Sequence, residues 1–189
     1  MKLTLRRVLI FLLILGLSVG FGFAFDGVAT LIEKHQYPMT SYNDLIAEAA
    51  EANGIPETVL WAVIRTESGF VSNAVSEDGS IGLMQLTPEE FAMIGAEILD
   101  RSDDAQLLYA PRTNLQYGAA YLSHLYRRYG VWDTVFAAYD AGTDAVDTWL
   151  KNPEYVTELG TLAYLPDASA SRFVSEVNEA ITMYKKLYF

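Results

Sequence analysis

The chain has 189 residues, with 13 Lys plus Arg against 24 Asp plus Glu, 51% hydrophobic residues and no cysteine. That length holds one ordinary domain with an appendage, the composition excludes disorder, and the absence of thiols excludes disulfides, thiolate metal sites and a cysteine nucleophile. Lys2, Arg6 and Arg7 lie at the extreme amino terminus, so the body carries 10 cations against its 24 acids and lacks the concentrated basic face that nucleic-acid binding needs.

From Val8 to Phe25 run 18 residues without a charge. As a helix they measure about 27 Å, against a bilayer hydrocarbon core of roughly 30 Å. The cationic flank before the run and Asp26 after it orient the remaining chain outside the cytoplasm. The run reads as a retained anchor over residues 1–25. Gly22-Phe23-Ala24 resembles a peptidase site, so cleavage of a signal segment is the alternative. Residues 26–40 read as a spacer, ending where Pro38 discourages helix continuation.

A domain over 41–189 follows, with helical patterning throughout and no strand alternation of useful length. Ser41 reads as the cap of a first helix that Asn53-Gly54 stops, and Pro56 and Glu57 open a second that ends at Gly69. Thr87-Pro88-Glu89-Glu90 is a capping box opening a third. Further helices are expected at about 112–129, 133–140, 144–151 and 171–187. Between Phe70 and Leu86 lies one long polar stretch, and a loop of that length in a compact domain is often functional.

One carboxylate stands on an apolar face. Advancing about 100° per residue sets Glu67 between Leu60, Val63 and Ile64, while Trp61, Ala62, Arg65 and Thr66 fall on the opposite, water-facing side. Burial there disfavours the charged form and raises the pKa, as a general acid near neutral pH requires. A Glu paired with a distant Arg, or one reaching water at the helix end, is the alternative reading.

The order Glu67-Ser68, Ala74-Val75-Ser76, Gly82-Leu83-Met84-Gln85 and Ala138-Tyr139-Asp140-Ala141-Gly142 resembles the catalytic domain of the soluble lytic transglycosylases, relatives of goose-type lysozyme. The resemblance spans about residues 41–189, including Ala110-Pro111-Arg112-Thr113-Asn114-Leu115. It implies an all-α, lysozyme-like multi-helix domain, carried here behind an N-terminal membrane anchor helix of a bacterium. The implied activity is peptidoglycan cleavage between N-acetylmuramic acid and N-acetylglucosamine to 1,6-anhydro ends.

On that pattern Glu67 is the single acid/base, Ser76, Met84 and Gln85 line the saccharide groove, and the Tyr139 hydroxyl supports the Glu. Because the attacking oxygen belongs to the substrate, no second catalytic carboxylate is needed, unlike the usual glycosidase pair. The implied partners are peptidoglycan glycan strands, and the cytoplasmic membrane through residues 8–25; no cofactor or metal is implied, and the sequence does not reveal protein partners.

Two departures stand out. Asp140 occupies a position where the family usually has Asn; it either raises the Glu67 pKa further, holds a water for hydrolysis, or caps a helix. Near the carboxyl end the family tends to show Glu-Thr and Tyr-Val after a proline, where this chain has Ser169-Ala170 and Phe173-Val174 after Pro166. A hydrolytic muramidase and a non-catalytic glycan-binding scaffold are therefore the rival readings. Tyr164 is expected either to supply a groove hydroxyl or to pack in the core. Trp132 and Trp149 divide between core packing and sugar stacking. The isolated His35 and His124, and the acids at Asp100, Asp103 and Asp104, lack metal-ligand spacing.

Overall fold

The computed structural model describes residues 27–189, and the expected anchor over 8–25 lies outside the described residues. Among the described residues no helix is long and apolar enough to cross a membrane. Two compact units divide the chain between Pro38 and Met39. In the first, residues 27–36 are helical (α1), so the stretch expected as a spacer carries regular structure. This helix exposes Val28, Leu31 and Ile32.

The second unit is helical, with isolated bridges in place of strands. Its elements are α2 (Asn43–Asn53), α3 (Glu57–Ser68), α4 (Pro88–Glu97), a short 3-10 helix (Ala105–Tyr109), α5 (Pro111–Tyr129), α6 (Trp132–Ala141), α7 (Thr143–Trp149) and α8 (Ala168–Tyr188). Local punctuation sets most boundaries. Gly54 and Gly69 end α2 and α3 in the left-handed region, at φ 63° and 55°, where a side chain is unfavourable. Thr87 caps α4: its hydroxyl accepts the Glu90 N–H while Glu90 accepts the Thr87 N–H, a complete capping box.

The α2 start differs from expectation. Tyr42, not Ser41, occupies the cap position; the Thr40 hydroxyl accepts the Tyr42 N–H, and Asn43 accepts the Thr40 N–H. The 3-10 helix is an element beyond those expected from the sequence. Asp104 caps it through the Gln106 N–H, and Asp103 pairs with Arg101 at 2.7 Å while accepting the Tyr117 hydroxyl.

α3 is the central element, packed on α2 and, along its length, on α8; α8 also covers α6, and α5 lies against α2 and α6. The face of α3 expected to meet water is dry over its first half, while Arg65 and Thr66 further along it are half-buried. Trp61 and Ala62 are fully buried, with the Trp61 ring 5.4 Å from both Tyr184 of α8 and Phe70. A helical wheel assumes one dry side, whereas α3 is dry almost all round from Thr58 to Ile64. α8 supplies the cover through Phe173, Val177, Ala180 and Tyr184, and each large apolar side chain so buried stabilises by about 1.5–3 kcal/mol. Trp132 is likewise a packing residue, stacked between Tyr126 and Phe136.

Candidate active site

Glu67 sits in the last turn of α3, one residue before the helix stops. Its neighbour Ser68 anchors that end: the Ser68 hydroxyl lies 2.9 Å from the Leu83 carbonyl and 3.1 Å from that of Ile64. The helix end and the 70–86 loop are therefore joined beside the carboxylate. They form one wall of a cleft of about 240 Å³, bordered also by α4 and the end of α6.

The loop is folded by its own polar groups. Asp78 accepts the hydroxyls of Ser76 and Ser80 and the Ser80 N–H, which holds its carboxyl below the usual carboxylate range, chiefly through Ser76. Bridges from Val75 to Ile81 and from Ile81 to Leu86 close the two turns. Gln85 takes a left-handed backbone (φ 46°) and donates its side-chain amide to the carbonyls of Gly82 and Ala74.

Beneath the loop, Asn114 of α5 is fully buried and makes three hydrogen bonds. It accepts from the Met84 N–H at 2.7 Å and donates to the Ile81 and Leu108 carbonyls at 2.9 and 3.0 Å. Gly82 must be glycine there, since its φ is 85° and an added Cβ would lie 2.3 Å from the Asn114 amide nitrogen. From the other side, the Tyr139 hydroxyl of α6 donates to the Met84 carbonyl at 2.7 Å. Both polar groups of the Met84 backbone are thus satisfied from two helices.

The cleft brings together five of the residues singled out from sequence: Glu67, Ser76, Gln85, Tyr139 and Asp140. Met84 is not among its walls. Its side chain is fully buried against Gly118, where its carbon atoms occupy the space a Cβ would need. Tyr164 is also elsewhere: it is exposed, its ring 5.6 Å from that of Tyr155 in the turn that follows α7. Asp78, Ser80, Thr87 and Glu90 join the cleft without having been anticipated as site residues. Thr87 and Glu90 were legible only as a helix cap, and a local motif carries no sign of which cavity it borders.

Electrostatically the cleft is acidic. Burial, then the charges of Asp140, Glu90 and Asp78, push the Glu67 carboxyl up to about 8. No side chain among the described residues forms an ion pair within 4.0 Å of it. Partial burial, then Asp167, hold Asp140 above the usual range, and the Arg172 guanidinium opposes them. The Tyr139 phenol is pushed far up, first by burial and then by Glu67, so it remains a neutral donor. A protonated carboxyl in an open polar cleft, flanked by further carboxyl and hydroxyl groups, can donate a proton to a bound acceptor and take one back.

Comparison with known proteins agrees with this architecture. The chain is 34% identical over 123 residues to the soluble lytic murein transglycosylase of Escherichia coli, covering 63% of this chain and 19% of that protein. It is 29% identical over 165 residues to the membrane-bound lytic murein transglycosylase C of Haemophilus influenzae, covering 74% of this chain and 45% of that one. It therefore spans less than half the length of the curated relatives it matches. The solved structure of an inactive glutamate-to-glutamine mutant of the lytic transglycosylase Slt from Pseudomonas aeruginosa superposes with a TM-score of 0.70 at 28% identity, over 80% of this chain and 25% of that one. Residues 44–158 match the profile of the Transglycosylase SLT domain, and the chain belongs to that lysozyme-like family.

Proposed function

We propose that the chain is a peptidoglycan lytic transglycosylase in which Glu67 is the single acid/base. The observation that carries this reading is the Glu67 carboxyl: held in the cleft without an ion pair and pushed up to about 8, it is protonated at neutral pH. Its proton goes to the glycosidic oxygen as the bond from the muramoyl C1 breaks, leaving an oxocarbenium-like centre. The C6 hydroxyl of the same sugar then bonds to C1, and its proton returns to the Glu67 carboxylate. The products are a free 4-hydroxyl and a 1,6-anhydro ring, with Glu67 restored.

Ser76 and Gln85 contribute polar contacts to the strand, and both are held by the loop's own hydrogen bonds before substrate arrives. Tyr139 acts through the Met84 carbonyl, fixing the loop beneath the cleft. The inactive mutant of the Pseudomonas aeruginosa relative, which carries glutamine for a glutamate, supports a one-glutamate site.

A hydrolytic variant of the same chemistry draws on Asp140, whose carboxylate borders the cleft. Here a water bound by Asp140 attacks C1 in place of the C6 hydroxyl. Mass spectrometry of the released glycan ends separates the two: the transglycosylase leaves muramoyl ends lighter by one water, and the hydrolase leaves reducing ends. Release of reducing ends alone refutes the nonhydrolytic reading.

The domain lies outside the cytoplasm in this proposal, with residues 1–25 as anchor, 26–40 as connector and 41–189 as the catalytic body. The uncharged run over 8–25, the exposed Val28, Leu31 and Ile32 that follow it, and the membrane-bound name of the Haemophilus influenzae relative support it. Extraction of the full chain with membranes, lost when residues 1–25 are removed, is the expected outcome; recovery of the full chain in the soluble fraction contradicts it.

A further inference from the structure

Helix α1 keeps its apolar side chains to one face. Advancing about 100° per residue puts Val28, Leu31 and Ile32 on one side, with His35 at the end of that stripe, and Thr30, Glu33 and Lys34 on the other. The surface helix of a globular domain turns such a stripe inward. Here, among the described residues, it is uncovered: Val28, Leu31 and Ile32 are 56, 69 and 55% exposed.

The sequence on either side says what covers it. The uncharged run of 18 residues ends at Phe25, so the stripe opens three residues beyond a segment long enough to span a bilayer. A helix with one apolar face at that place lies along the membrane surface, its stripe sunk about 5–10 Å into the boundary between headgroups and acyl chains. A second copy of the chain is the poorer cover. Between the end of the run and Tyr37-Pro38 only the eleven residues Asp26 to Gln36 are available, less than two heptads, whereas a coiled-coil seam needs about three to four. Those eleven residues carry Asp26, Glu33 and Lys34, one cation against two acids, so apolar burial and not attraction to anionic lipid is the driving force.

We propose that α1 lies flat in the membrane interface, with Val28, Leu31 and Ile32 among the lipid chains and Thr30, Glu33 and Lys34 in water. This rests on the proposed anchor over residues 1–25, which delivers α1 to the surface. Only residues 37–42 join α1 to α2, a covalent reach of at most about 25 Å, so a surface-bound α1 holds the start of the catalytic body close to the membrane and favours the strands nearest it.

The chain has no cysteine, so a single introduced cysteine carries a nitroxide label at one place. The full chain with Leu15→Cys, Val28→Cys, Thr30→Cys, Leu31→Cys, Ile32→Cys or Lys34→Cys is reconstituted in phosphatidylcholine vesicles, with and without phosphatidylglycerol. Relaxation of the label by oxygen, which concentrates in lipid, is compared with relaxation by a water-soluble nickel chelate. Labels at Val28, Leu31 and Ile32 are expected to favour oxygen severalfold over labels at Thr30 and Lys34, alike in both lipid mixtures and at low and high salt.

Water-like relaxation at all five α1 positions overturns the proposal. So does a stripe shielded from both relaxants, the sign of cover by protein, or an oxygen preference that requires phosphatidylglycerol. The Leu15→Cys label reads the anchor separately. Lipid there with water along the stripe refutes the α1 assignment alone; water there with lipid along the stripe refutes the anchor and leaves α1 in the interface; water at every position refutes both.

Discussion

The Tyr139 hydroxyl donates to the Met84 carbonyl at 2.7 Å, so a residue near the end of α6 holds the backbone beneath the cleft. Tyr139→Phe leaves that carbonyl buried and unpaired, at a cost of about 1–3 kcal/mol. Denaturant unfolding is expected to register the loss, and kcat to fall with it because the 70–86 loop loosens. An unchanged midpoint contradicts the role.

Asn114 is the second hold on the same loop. Asn114→Ala removes three buried hydrogen bonds and opens a void, for a loss on the order of 3 kcal/mol. Gly82→Ala drives a Cβ into the Asn114 amide from a left-handed backbone, and is expected to be comparably damaging. Thermal unfolding of both variants checks this, and a melting temperature equal to the parent's for Gly82→Ala argues against the close approach.

The pH profile carries a sign. Glu67 must be protonated to act first as an acid, so activity is expected to decline as pH rises through about 8. Asp140 contributes to that elevation by like-charge repulsion, after burial. Asp140→Asn therefore shifts the alkaline limb toward lower pH, as Glu90→Gln does to a lesser degree. A limb that stays in place in both variants contradicts a contribution from these two charges.

Stability follows the same proton. In the unfolded chain Glu67 ionises near 4.5, whereas in the folded cleft it holds its proton up to about 8. Between those values the unfolded state binds fewer protons, so the Glu67 contribution to stability falls as pH rises and levels off above about 8. Glu67→Gln removes this penalty: the variant is expected to be more stable than the parent, with a gap that widens from mildly acidic to mildly alkaline pH. Paired unfolding curves across that range measure it, and a constant gap contradicts the raised pKa.

What the sequence made legible is what local chemistry controls. The glycine stops at Gly54 and Gly69 and the Thr87–Glu90 capping box depend on residues within one turn of each other, and they stand where the pattern puts them. The carboxylate of Glu67 was legible because its neighbours Leu60, Val63 and Ile64 declare a dry face. Trp61 was misread because its cover, Tyr184 on α8, lies far along the chain.

Met84 shows the same limit in another form. Motif position brought it to the cleft, but Asn114 and Tyr139 hold its backbone while its side chain fills the gap left by Gly118. Tyr164 lacks any spacing signal, and it stands exposed in the irregular segment before α8. Asp78 and Glu90 enter the cleft through loop closure and helix packing, neither of which leaves a periodic trace in the sequence.

The most direct measurement is release of soluble muropeptides from purified cell-wall sacculi by the chain and by its Glu67→Gln variant, compared at neutral pH with both proteins verified as folded. Glutamine keeps the shape and removes the transferable proton, so release is expected to fall by at least about a hundredfold, the share that general acid–base catalysis supplies. Release at the parent rate by the glutamine variant contradicts the assignment of Glu67 as the proton donor.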